Sequence, residues 1–124
     1  MTEVQPIVVI IEADEATRRL YERALSTVYD VLAASPEMTW EAMTRRLPIR
    51  AIAIEPGPEG EPGWDLIREL RRRPETQATP IILCTSQDDR GLDQELGVTA
   101  HLVKPVLPTD LLAVIQSILA DASS

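Results

Sequence analysis

Short apolar runs alternate with amphipathic stretches along the whole chain. Val8-Val9-Ile10-Ile11 is a continuous β-branched run, the pattern of a strand covered on both faces in a parallel sheet. Ala51 to Ile54 and Ile81 to Cys84 read the same way, while Tyr29 to Ala34 and Ala100 to Val103 are shorter and fit positions nearer the sheet edges. Helical spacing fills the gaps. Glu15 to Thr27 puts Ala16, Leu20 and Ala24 on one face, with Tyr21 and Leu25 beside them. Ser35-Pro36 predicts an N-cap followed by proline in the first turn, opening a helix that runs to about Leu47. Leu66, Ile67 and Leu70 form a stripe after Gly63-Trp64, and Leu111 to Leu119 marks the last helix, with Thr109 as its expected cap. The weakest stretch is Asp88 to Leu96, where Leu92 and Leu96 alone repeat at helical spacing.

Strand followed by helix, five times over, predicts an α/β sheet with right-handed crossovers. Ligands and chemistry in such sheets gather at the carboxyl ends of the strands, near the switch in strand order. Those ends carry Glu12, Glu55, Thr85-Ser86 and Lys104-Pro105. Two carboxylates, a hydroxyl and an ammonium on one rim make a polar site.

Composition narrows the picture. A chain of 124 residues, 44% hydrophobic, has room for one domain with one core. No apolar run reaches the ~20 residues of a membrane span, and the N-terminus does not read as a secretory signal. Cys84 is the single cysteine, so it reads as a small buried strand residue in a reducing, cytoplasmic setting. A net charge of −8 argues against direct nucleic-acid binding, and Arg18-Arg19, Arg45-Arg46 and Arg71-Arg72-Arg73 read as solvated helix faces.

In order and spacing these features resemble the receiver domain of bacterial response regulators over essentially the whole chain, residues 1–124. Ile7 to Leu20 is similar to the family's opening strand, acidic corner and first helix. Thr85 stands at the switch-hydroxyl position, Lys104-Pro105 matches a Lys-Pro pair whose peptide bond is usually cis, and Gly63 matches the glycine before the third helix. The resemblance implies a flavodoxin-like, doubly wound (βα)5 fold with strand order 2-1-3-4-5 and helices on both faces. It also implies a role in two-component or phosphorelay signalling.

The departures bear on function. Receivers carry an acidic pair after the first strand and a phosphoaccepting aspartate after the third, and these carboxylates position Mg²⁺. Here the pair reads Glu12-Ala13, with Asp14 one place further along and expected to face elsewhere, and the acceptor position holds Glu55. The metal set shrinks to Glu12, Glu55 and the Gly57 carbonyl, a weak or absent Mg²⁺ site. The extra methylene of Glu55 moves its oxygen by about 1.5 Å, and a shift of about 1 Å can cost a positioned reaction roughly a hundredfold. Lys104 is expected to pair with Glu55, either as a constitutive mimic of the phosphorylated state or as a purely structural ion pair.

Other candidates are weighed alongside. The run from Glu55 to Gly63 holds three prolines and three glycines, a stiff loop whose Glu59 and Glu61 could meet a cation, a basic partner or solvent alone. His101 reads as an altered switch residue or an ordinary edge-strand side chain. Without a phosphoryl group to contact, Thr85 reads as a cap for the short helix after it. Trp64 is expected over the rim of the site, and Trp40 in the second helix.

The leading reading is a phosphorylation-independent receiver, not an enzyme, that binds other signalling proteins as a monomer or weak homodimer. The segment 88–96, the fifth strand and the last helix form the expected partner face. A working phosphoacceptor using Glu55 with Mg²⁺ is the alternative. A flavodoxin-like cofactor binder is disfavoured, because no loop offers a phosphate cradle and aromatic residues make up only 3%.

Overall fold

A computed structural model of the chain describes residues 7–45, 48–58, 60–86 and 96–123. The elements in chain order are β1 (Ile7–Ile11), α1 (Glu15–Leu25), β2 (Asp30–Ala34), α2 (Trp40–Thr44), β3 (Ile49–Ile54), α3 (Pro62–Arg72), β4 (Ile81–Thr85), β5 (Ala100–Val103) and α4 (Pro108–Ser123). The strands form one sheet in the order β2-β1-β3-β4-β5, and every pair is parallel. The two shorter, less apolar runs lie at the edges, as their composition predicts. The expected helix over 88–96 falls outside the described residues except at Leu96, as do Glu59 and the Arg46-Leu47 end expected for the second helix. Among the described residues no helix is long and apolar enough to cross a membrane.

Alternation along the strands divides the core in two. Val8, Ile10, Ala53, Ile82 and Cys84 face α1 and α4, packing on Tyr21, Leu25, Leu111 and Ile115. Val9, Ile11, Ile52, Ile54 and Leu83 face α2 and α3, packing on Met43, Trp64, Ile67 and Leu70. Each such aliphatic side chain contributes about 1.5–3 kcal/mol on burial. Cys84 is a core residue as expected, and burial pushes its thiol up to about 12, so it stays protonated.

Four local expectations are corrected. On α1 the sheet-facing stripe runs through Tyr21 and Leu25, while Ala16 and Leu20 face outward, Leu20 with 54% of its surface exposed. The phase is set by Tyr21, whose hydroxyl donates to the Val106 carbonyl at 3.1 Å. Ser35-Pro36 opens a turn rather than a helix: the Met38 amide donates to the Ser35 carbonyl, with proline at the second position where its fixed φ fits. The cap of α2 is Thr39, whose hydroxyl accepts the Ala42 amide. The last helix starts at Pro108, not after Thr109, and the Leu107 carbonyl receives the amides of Asp110 and Leu111.

Candidate functional site

The strand ladder runs one step past the strands and carries polar residues onto the rim. The Glu12 amide donates to the Ala34 carbonyl, the Glu55 amide to Ile11, and the Lys104 amide to Thr85, at 2.8–3.0 Å. The register Ile11↔Ile54 sets Glu12 and Glu55 side by side across the β1–β3 junction, where strand order reverses. Above them opens a cleft of about 440 Å³ whose walls include Glu12, Ala13, Asp14, Glu55, Gly57 and Lys104.

Lys104 does not pair with Glu55. Its ammonium donates to Glu12 Oε1, and the Asp14 amide donates to Glu12 Oε2 at 3.0 Å. Glu12 is 3% exposed, so a buried carboxylate beside a half-buried lysine draws the pairing that the sequence suggested for Glu55. The Arg18 guanidinium reaches back to the Glu12 carbonyl at 2.8 Å, which ties α1 to the same corner. Glu55 keeps one buried oxygen, Oε2, without a hydrogen-bond partner. Burial holds its carboxyl above the usual range; nearby Lys104 opposes that rise and the Glu12 carboxylate adds to it.

Asp14 serves α1, not the cleft centre. It is the N-cap, accepting the Thr17 amide and hydroxyl, and these bonds hold its carboxyl below the usual range. The signal was present in an aspartate immediately before an acidic first turn. Trp64 does not lie over the rim either. It is 1% exposed, because α3 begins at Pro62 and turns the indole into the core beside Ile67. Its N–H reaches the Gly57 carbonyl at 2.9 Å, a contact nothing in the spacing revealed. Thr85 is buried at the end of β4, and its backbone carbonyl holds Lys104. His101 sits half-buried in β5 opposite Leu83, and the Lys104–Pro105 peptide bond is cis.

No protein-family model matches the chain. The response regulator PleD of Caulobacter vibrioides is 30% identical over 115 residues, covering 90% of this chain and 25% of that protein. The probable transcriptional regulator ycf27 of Porphyridium aerugineum is 26% identical over 113 residues, covering 90% and 47%. The chain thus spans about half or less of the curated relatives it matches. Among solved structures, the chemotaxis response regulator CheY4 of Vibrio cholerae superposes with a TM-score of 0.78 at 22% identity, over 93% of this chain and 99% of that one. A CheY-like receiver domain protein from Methanospirillum hungatei gives 0.79 at 20% identity, over 96% and 97%. The chain has the fold of CheY-like receiver domains and is similar in sequence to response regulators.

In a receiver the rim implies Mg²⁺, so the donor atoms matter. Ala13 offers none. Both Glu12 oxygens are engaged, one by an ammonium whose charge opposes a second cation. The Gly57 carbonyl has given one lone pair to Trp64, and Glu55 Oε2, which has no partner, is buried. Mg²⁺ demands near-octahedral oxygen coordination at close range. Among the described residues no group of three or more His, Cys, Asp or Glu side chains could hold a metal ion. The residues present do not fit the group.

Proposed function

We propose that this receiver works without phosphorylation, as a protein-binding module in two-component signalling. The observation that carries the reading is the closed donor set: Ala13 supplies no ligand, and Lys104, the Asp14 amide and the Trp64 indole engage the Glu12 oxygens and the Gly57 carbonyl. Acyl-phosphate chemistry would need Glu55 to attack a phosphoryl group whose negative oxygens no metal neutralises.

The Glu12–Lys104 pair replaces the expected Glu55–Lys104 pair as the feature that fixes the rim. Glu55 is therefore a poor constitutive mimic, because the ammonium that would answer its charge is bound elsewhere. The conformation of the rim is set by the sequence, and binding follows from a standing surface rather than a switched one.

The test is intact-mass spectrometry after incubation with acetyl phosphate and Mg²⁺, beside a conventional receiver and a Glu55→Gln variant. An unchanged mass while the conventional receiver labels is the expected result. A phosphoryl adduct that disappears in Glu55→Gln would make Glu55 a working acceptor and overturn the proposal.

A further inference from the structure

Two hollows meet beside the rim. One is the cleft of about 440 Å³ over Glu12 and Glu55; the other, about 320 Å³, runs between the turn before α2 and the start of α3. Both are lined by Pro36, Glu37 and Pro62, so they form one continuous groove. The floor of the second hollow is apolar, built from Met38, Trp40 and Leu66. Its rim carries exposed Glu37 and Glu41, together with Asp65, paired with Arg68 at 3.4 Å, and Glu69, paired with Arg72 and Arg73. Among the described residues the one cation lining the first hollow is Lys104, which is committed to Glu12, while its walls also carry Glu55 and exposed Glu37 and Glu61. Trp40 already holds the Arg73 guanidinium over its ring, 5.4 Å from the centroid. An indole placed this way accepts cations.

We propose that this groove docks a basic segment of a partner protein. An apolar side chain of that segment covers the Met38–Trp40–Leu66 floor, and a lysine or arginine reaches the Glu55 end. The proposal rests on the reading of the chain as a phosphorylation-independent binding module. It places the partner on the α2–α3 side of the sheet, away from the β5–α4 face that the family resemblance suggests. Charge complementarity selects the occupant: a row of carboxylates attracts a basic segment and repels phosphate backbones and acidic peptides. Affinity comes mainly from the apolar floor, since rim charges steer more than they bind.

The experiment titrates the full chain against a fluorescent peptide of Arg, Lys and Leu, beside the same peptide with Glu replacing each cation. Two double variants carry the same charge change. Glu37→Lys/Asp65→Lys alters the groove, and Glu22→Lys/Asp110→Lys alters exposed positions on α1 and α4, across the sheet. The expected result is binding of the basic peptide alone, weakened about tenfold or more by the groove pair and less than about twofold by the control pair. Trp40→Ala is expected to weaken it by a similar factor. Because the rim positions are exposed, the groove pair keeps the test readable if Trp40→Ala does not fold. Equal losses in both pairs, or no binding by the wild type, would overturn the proposal. With an unchanged mass after acetyl phosphate, that failure would touch the groove alone; a Glu55 adduct would instead remove the functional reading beneath it.

Discussion

Glu12 and Glu55 occupy neighbouring rim positions, yet their surroundings differ. Glu12 has an ammonium and a backbone amide on its two oxygens, whereas Glu55 is pressed against the core with one oxygen unanswered. That contrast yields a pH prediction. An unfolded chain ionises Glu55 near 4.5, and burial raises the value in the folded state. Between the two values the folded state binds more protons than the unfolded one, so this group's contribution to stability falls as pH rises through the window. Glu55→Gln keeps the shape and removes the charge. It is expected to raise the melting temperature at neutral pH and to flatten the decline above pH 4.5, as scanning calorimetry across that range would register. Parallel pH profiles for the two proteins would count against a desolvated Glu55. The sequence placed both carboxylates on the rim, because apolar runs mark where strands end. It could not say which one Lys104 would reach: the partners lie 92 residues apart, and the Asp14 amide that orients Glu12 is a product of the α1 cap.

Loop 55–61 is held at its two ends by neighbouring elements. At one end the Glu55 amide continues the ladder to Ile11, and further on α3 clamps the chain by packing Gly63 against Pro56. A Cβ at Gly63 would stand 2.7 Å from Pro56 Cα and 2.9 Å from its carbonyl oxygen, both backbone atoms with little room to give. Gly63→Ala is therefore expected to cost about 1–3 kcal/mol in urea denaturation, as overpacking does. A substitution without measurable cost would show that the loop yields freely. Helix phase was less legible than strand position. Leu20 reads as core by hydrophobicity alone, but the orientation of α1 is fixed by the Tyr21 bond to Val106, a contact made 85 residues away. Similarly, the Ser35-Pro36 signal fits either a helix start or a turn, and the Thr39 cap three residues before Ala42 decides for the turn. Arg71 shows the same limit. It reads as part of a solvated basic face, yet its half-buried guanidinium donates to the carbonyls of Thr79, Leu96 and Gly97, joining the end of α3 to the approach of β5.

For the whole molecule, the alternation of apolar runs and helical stripes was enough to predict the five-stranded parallel sheet. Strand order, which no local pattern encodes, came from the family resemblance and matches the observed β2-β1-β3-β4-β5. The site was legible as a set of residues but not as a network. Its closure depends on the Trp64 indole, Lys104 and the Asp14 amide converging from separate elements. On the proposed reading, a receiver fold with that rim, a net charge of −8 and an acidic groove beside it serves basic protein partners rather than phosphoryl chemistry. The closed donor set is tested most directly by isothermal titration of the full chain with MgCl₂ into the millimolar range, beside an Ala13→Asp/Glu55→Asp variant that restores the missing carboxylate and shortens the other. The wild type is expected to give no saturable heat and the variant to bind. Saturable Mg²⁺ binding by the wild type, as tight as the variant's, would contradict the closed site and return the phosphoacceptor reading to first place.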